Sequence, residues 1–175
     1  MESLNQLVIR TAAMGDAEGI LNIQKEVVEE GDFLLMDSVE FNKTIADQKQ
    51  WIQRILQNKR EILLIADVAD KMAGWLVFQS PNRVRLNHTG SIGMMVKKEF
   101  RNRQVGRKLL ETLLVWAEQH KEIEKICLGV LSSNDRAIHL YRSLGFLEEG
   151  RKVNEVKIGD RYVDDILMYK DVKKR

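Results

Sequence analysis

The stretch Val96-Lys97-Lys98-Glu99-Phe100-Arg101-Asn102-Arg103-Gln104-Val105-Gly106-Arg107-Lys108-Leu109-Leu110 decides how this 175-residue chain is read. An apolar β-type run stops at Val96, passes through a cationic turn and opens directly into a strongly patterned helix. This order of elements builds an anion site. The first N–H groups of a helix have no intrahelical partner, and the aligned peptide dipoles favour negative charge there. Arg101, Arg103 and Arg107 add positive charge around the same point. A solvated basic helix start is the plainer alternative, but a basic first turn opposes the dipole unless an anion is near. The local conflict therefore argues for a ligand.

Downstream of the turn, Leu109, Leu110, Leu113, Trp116 and Ala117 fall on one face of an amphipathic helix over Gly106–His120. Lys125–Val130 reads as a strand, and Ser132-Ser133-Asn134-Asp135-Arg136-Ala137-Ile138-His139-Leu140-Tyr141-Arg142-Ser143-Leu144-Gly145-Phe146 follows it. Asn134–Leu144 is a helix with Asn134 or Ser133 as N-cap and Gly145 as its stop. Tyr141 lies two turns in, on the face of Ala137, Ile138 and Leu144, where a core tyrosine is the plain reading. Phe146–Ile158 and Tyr162–Lys170 form a hairpin around Gly159-Asp160.

Upstream, Leu7–Arg10 is β-type, Asp16–Glu29 and Phe41–Asn58 are helical, and Glu61–Val68 with Met72–Ser80 suit an antiparallel hairpin. A further strand is expected over Leu86–Val96, with Gly90 and Gly93 near its middle. The order β α α β β β α β α β β, without repeat or linker, predicts one α/β domain over residues 1–175. Its sheet should be mixed, mostly antiparallel and flanked by helices.

The 44% hydrophobic and 31% charged content is that of an ordinary globular protein. A net charge of +2, from 28 basic and 26 acidic residues, argues against a polyanion such as DNA as partner. Cys127 sits in a strand pattern and reads as a buried reduced thiol. The N-terminal residues lack signal-peptide character, and no apolar run approaches the roughly 20 residues that span a bilayer. A cytoplasmic protein without a membrane partner is expected. No ligand cluster has zinc spacing, and the P-loop pattern Gly-x-x-x-x-Gly-Lys-Ser/Thr is lacking, which disfavours a nucleotide-binding protein of that type.

Taken as a pair, the cationic turn and the Ser132–Phe146 stretch resemble the two signature motifs of the GNAT superfamily of N-acetyltransferases, and the resemblance extends loosely over nearly the whole chain. It implies a twisted sheet of about seven strands with about four helices. The family's loop reads Arg/Gln-x-x-Gly-x-Gly/Ala; here Arg101-Asn102-Arg103-Gln104-Val105-Gly106 fills it, with Gln104 in place of the first glycine. A side chain disfavours positive φ, which narrows the loop, but a glutamine can take right-handed helical angles and still turn its N–H inward.

The resemblance further implies acetyl-coenzyme A as cosubstrate, held by Arg101, Asn102, Arg103, Gln104, Val105, Gly106 and Arg107, with its pantetheine arm against Met95, Val96, Asn134 and Ala137. Tyr141 is implied as general acid at the cofactor sulfur. The backbone N–H of Met95 or Val96 is implied as oxyanion donor, if that strand bulges.

An alkyl amine is protonated at neutral pH, so a base or water must take a proton before attack. Glu26, Glu29, Glu30, Asp32 and His88 are candidates, each with a structural alternative. Asp164 and Asp165 alternate across a strand, so at most one faces a pocket, where it could hold a cationic acceptor. The segment Glu148–Met168 looks like the branch with ribosomal-protein N-terminal, polyamine and small-molecule acetyltransferases, so the acceptor is a small-molecule or peptide amine. Homodimers are common among such proteins, and exposed apolar edges of the terminal hairpin are the place to look. A non-catalytic acetyl-coenzyme A or coenzyme A sensor is the competing reading; it would not need Tyr141.

Overall fold

The computed structural model describes residues 6–174. Seven strands and four α-helices follow one another as β1 (Leu7–Thr11), α1 (Ala17–Glu30), α2 (Ile45–Gln57), β2 (Ile62–Val68), β3 (Lys71–Gln79), β4 (Thr89–Val96), α3 (Val105–Gln119), β5 (Lys125–Leu131), α4 (Asp135–Ser143), β6 (Leu147–Ile158) and β7 (Arg161–Asp171). The spatial order is β1-β2-β3-β4-β5-β7-β6. Every neighbouring pair is antiparallel except β4 with β5. This is the predicted element order and the predicted mixed, mostly antiparallel sheet.

Side-chain alternation along the central strands divides the core in two. Leu64, Ala66, Leu76 and Phe78 pack on the face covered by α3 and α4, whereas Leu63, Ile65, Trp75 and Val77 pack with Ile20, Ile23, Ile52 and Ile55 of α1 and α2. The strands are therefore apolar on both faces, as a sheet sandwiched between helices requires. Local chemistry sets the ends. Thr44 and Asp47 form a capping box at the start of α2, and Gly31 ends α1 at φ +69°. The β2–β3 hairpin closes through Ala69 and Asp70, both left-handed at φ +48° and +62°.

Two boundaries differ by three residues or more from the sequence expectation: α2 starts at Ile45 instead of Phe41, because Thr44 caps it, and β4 starts at Thr89, because Val84–Leu86 is a 3₁₀ turn. Thr89 Oγ1 donates to the Leu86 carbonyl at 2.9 Å and Ser80 Oγ to that of Asn87 at 3.3 Å, side-chain bonds that close the turn instead of extending the strand.

The feature that positions the site is the short β4–β5 ladder. Only Thr89, Gly90 and Ser91 pair with Lys125, Ile126 and Cys127. Beyond that point the two strands run on without pairing, so the sheet splits into a wedge. The junction depends on Gly90, where a Cβ would lie 2.2 Å from Cζ of the fully buried Phe78. Among the described residues no helix is long and apolar enough to cross a membrane.

Candidate active site

A cavity of about 920 Å³ fills the wedge and is lined by residues from both sides of the sheet. On the α3–α4 side its wall includes Asn102, Gln104, Val105, Gly106, Arg107, Asn134, Ala137 and Tyr141. Toward α1 it is bounded by Gln24, Val27, Asp32, the apolar run Phe33–Met36, Phe41 and Asp165. Ile92–Val96 and Gly129–Leu131 form the two sides of the split.

The α3 start is built as an open set of donors. The first helical bond runs from the Lys108 N–H to the Gln104 carbonyl, so the N–H groups of Val105, Gly106 and Arg107 have no acceptor in the helix. No side chain caps them. Gln104 does not use the right-handed angles open to it. It sits at φ +63°, ψ 3°, and Asn102 is also left-handed at φ +60°. The turn keeps the backbone path that a glycine would follow, and the glutamine side chain bears the strain that this path imposes.

The three arginines of the turn are less free than their sequence positions imply. Both terminal nitrogens of Arg101 bond Glu30, at 2.6 and 2.7 Å, and its Nε donates to the Val96 carbonyl at 3.0 Å. This clamp ties the end of α1 to the turn and holds the Glu30 carboxyl below the usual carboxylate range. Arg107 donates to Ser143 Oγ at 2.6 Å, and Arg103, outside the cavity wall, lies over the Phe100 ring. Arg136, which the sequence reading did not single out, does line the cavity. Its position on the first turn of α4 was the available signal.

The β3–β4 register runs without a shift from Gly74↔Val96 to Gln79↔Ser91, so the condition set for a Met95 oxyanion donor, a bulge in β4, is not met there. Lys97 N–H bonds the carbonyl of its directly opposite partner Ala73, which makes Trp75–Met95 a hydrogen-bonded pair two residues on. The backbone of Met95 is therefore spent on β3. By the same alternation Met94 and Val96 turn their N–H groups toward the wedge. This corrects the sequence expectation for Met95 and leaves Val96 available.

Asn134 is the N-cap of α4: its Oδ1 accepts from the Ala137 N–H at 3.3 Å, and the residue also lines the cavity. Tyr141 is 8% exposed, with its ring edge-on to Phe146 at 5.8 Å. Its hydroxyl has no hydrogen-bond partner among the described residues, and burial pushes its pKa up to about 12. A phenol so placed stays protonated throughout the neutral range.

The base candidates separate clearly. Glu30 is bound to Arg101, Glu26 accepts from the Lys98 N–H at 3.4 Å outside the cavity, and Glu29 is outside it as well. His88 lies at the opposite end of β4, where its carbonyl accepts from Glu124 and Lys125. Among the described residues, only Asp32 and Asp165 remain as cavity carboxylates not tied into a close ion pair. Asp164 is turned away: it accepts from Arg151 at 3.0 Å and from the Asn154 N–H at 2.8 Å. Cys127 is a free, half-buried thiol whose pKa is raised, first by burial, which suits the structural reading.

A sheet split beside an uncapped helix start, with a buried phenol in the split, defines a class. The chain belongs to the Acetyltransferase (GNAT) family, whose model matches residues 29–146. It is an acetyl-coenzyme A-dependent N-acetyltransferase. The chain is 26% identical to spermidine N(1)-acetyltransferase of Vibrio cholerae over 172 residues, covering 94% of this chain and 92% of that one. It is 24% identical to L-amino acid N-acetyltransferase AaaT of Escherichia coli, covering 94% and 98%. The crystal structure of a GNAT-family acetyltransferase from Streptococcus pneumoniae superposes with a TM-score of 0.90 at 28% identity, covering 95% of this chain and 99% of that one.

Proposed function

We propose that the protein moves an acetyl group from acetyl-coenzyme A to a primary amine by direct attack of the nitrogen on the thioester carbon, through a tetrahedral intermediate and without a covalent enzyme intermediate. One observation carries the reading. A single cavity gathers the unbonded N–H groups at the start of α3, the unpaired edge of β4 and the partnerless hydroxyl of Tyr141. Each lacks what a pyrophosphate, an amide-bearing arm and a thiolate would bring.

In this reading the N–H groups of Gln104 to Arg107 receive the pyrophosphate, with Arg107 and Arg136 adding charge, while Arg101 acts through the clamp that fixes the turn. Val96 and Met94 offer N–H groups to the pantetheine arm and the oxyanion, and the free amide nitrogen of Asn134 serves the arm. The amine sheds one proton to water, its lone pair forms the new N–C bond, the C–S pair leaves on sulfur, and the nitrogen gives up its second proton to water to become the neutral amide. Tyr141 is the general acid. As charge develops on the thiolate its O–H is shared with sulfur, which ends as the thiol, and solvent restores the phenol. A phenol well above the ordinary tyrosine value is a donor that does not ionise first.

The relatives named for spermidine and L-amino acids share an amine acceptor, and a small amine is the class proposed here. Thermal unfolding with acetyl-coenzyme A, coenzyme A and ATP tests the donor site. The first two are expected to raise the midpoint, because they bind the folded state alone. Amines are then screened by thiol release. A flat response to acetyl-coenzyme A at saturating concentration overturns the cofactor assignment.

A further inference from the structure

Asp165 is a buried carboxylate for which the fold provides no proper partner. The residue is 7% exposed, its side chain 10%, and it lines the cavity. It accepts no hydrogen bond among the described residues. The nearest cation, Lys152 Nζ, is 3.9 Å away on a side chain that is 53% exposed. Buried carboxylates are normally paired or hydrogen-bonded, because removing the charge from water is costly. Its neighbour on β7 illustrates the contrast: Asp164 is bonded by both a guanidinium and a backbone N–H.

The placement is specific. Asp165 pairs with Leu131 across the β5–β7 ladder, and its Oδ1 lies 3.0 Å from where a Cβ on Gly129 would stand. Only glycine at 129 leaves the carboxylate resting on the β5 backbone at the wedge. Val130 and Ile166 belong to the α3–α4 core, so alternation turns Asp165 to the α1 side, opposite Tyr141. The α1-side wall of the same cavity includes the apolar side chains Phe33, Leu35, Met36 and Phe41. The remaining charges on the cavity wall are the cations Lys43, Arg101, Arg107 and Arg136 and the carboxylates Glu30 and Asp32, and Glu30 is already held by Arg101. That balance does not suit a polycation.

We propose that Asp165 receives the ammonium group of the acceptor, and that the acceptor is a monoamine with an apolar body resting on the Phe33–Phe41 wall. This deepens the acetyltransferase reading and rests on it. Asp165 binds and orients the cation; the proton lost before attack goes to water.

The test uses Asp165→Asn, Asp165→Glu and Gly129→Ala in the full chain, with 2-phenylethylamine and spermidine as probes. Three quantities are read: the unfolding midpoint with and without acetyl-coenzyme A, KM and kcat by thiol release, and titration of 2-phenylethylamine into coenzyme A-saturated protein by calorimetry. Asp165→Asn is expected to keep the acetyl-coenzyme A shift, to raise the midpoint of the ligand-free protein by relieving a buried charge, and to raise KM for 2-phenylethylamine by about tenfold or more. Asp165→Glu should recover part of that loss. Gly129→Ala should weaken amine binding without removing the charge, which keeps the test alive if Asp165→Asn misfolds. An unchanged amine KM in a folded Asp165→Asn protein overturns the proposal, and a preference for spermidine over 2-phenylethylamine overturns its apolar-monoamine part. If the unaltered protein neither shifts with acetyl-coenzyme A nor releases thiol, the acetyltransferase reading itself fails, a distinguishable result.

Discussion

On the α3–α4 side of the sheet the cavity wall has donors without acceptors, whereas on the α1 side it has a carboxylate without donors. The N–H groups of Val105, Gly106 and Arg107 and the Tyr141 hydroxyl make up the first set; Asp165 makes up the second. Elsewhere the chain satisfies such groups with care. Thr44 caps α2, Asn134 caps α4, and the buried Asp16 takes two bonds from Arg10 at 2.8 Å. Away from the cavity, buried Gln48 Oε1 and Trp75 Nε1 also lack a partner among the described residues, but at the cavity the open groups are gathered together and have opposite sense on its two sides. That is the arrangement expected of a site that brings an anionic cosubstrate and a cationic acceptor to a common point.

The sharpest way to break this contrast is Tyr141→Phe. Loss of the hydroxyl is expected to lower kcat by about 10²-fold or more, while the midpoint shift with acetyl-coenzyme A stays intact, because the proposed cofactor site is made of backbone donors. The raised pKa adds a pH signature. An ordinary tyrosine ionises near pH 10, but a phenol at about 12 remains a donor there, so kcat should show no alkaline fall through about pH 10. An unchanged kcat in the Phe variant would remove Tyr141 from the mechanism.

The clamp between the two sides comes next. Glu30→Gln leaves Arg101 without its carboxylate, and both side chains are mostly buried, at 16% and 20% exposure. A loss of about 1–2 kcal/mol in chemical denaturation is expected, together with weaker acetyl-coenzyme A binding as the turn loosens. The sign with pH follows from the depressed carboxyl. The Glu30 contribution is complete above the unfolded value near pH 4.3 and is lost as pH falls through the lower folded value. The unaltered protein should therefore lose more stability on acidification than Glu30→Gln. Parallel titrations would sink the assignment.

Gln104→Gly probes the donor side with a smaller effect. A left-handed side chain costs about 1–2 kcal/mol and glycine's extra chain entropy offsets part of it, so a net gain of about 0.5–1 kcal/mol is expected, read by denaturation midpoint. A loss would mean that the glutamine side chain holds the turn through contacts of its own. Smallest is Asp70→Gly in the left-handed β2–β3 turn, remote from both sides. A gain of about 0.5 kcal/mol is expected with no change in acetyl-coenzyme A shift or amine KM. Movement in either ligand readout would show that stability alone alters the site.

Much of the fold was legible locally because local rules and tertiary packing agree in it. The apolar face Leu109–Ala117 of α3, the stop at Gly145 and the turn at Gly159-Asp160 each follow from backbone chemistry that neighbouring residues dictate. The cationic turn and Tyr141 were legible as well, through a recognisable pattern joined to a chemical need. The fates of the charged side chains were not. Nothing adjacent to Arg101 reveals that Glu30, 71 positions away in sequence, takes both its terminal nitrogens, and nothing in Tyr162-Val163-Asp164-Asp165 reveals which aspartate is bonded and which is bare.

By itself, then, the sequence determined the order of elements, the amphipathic face of α3 and the open helix start, because these rest on periodicity and on the chain's own peptide groups. The tertiary structure alone decided where the sheet splits, that Gln104 stays left-handed, that Met95 is bound to β3 while Val96 faces the wedge, and that Asp165 is buried without a hydrogen-bond donor. Those outcomes depend on strand register and on contacts between residues far apart in the chain. Their energies arise only once the sheet has closed around them.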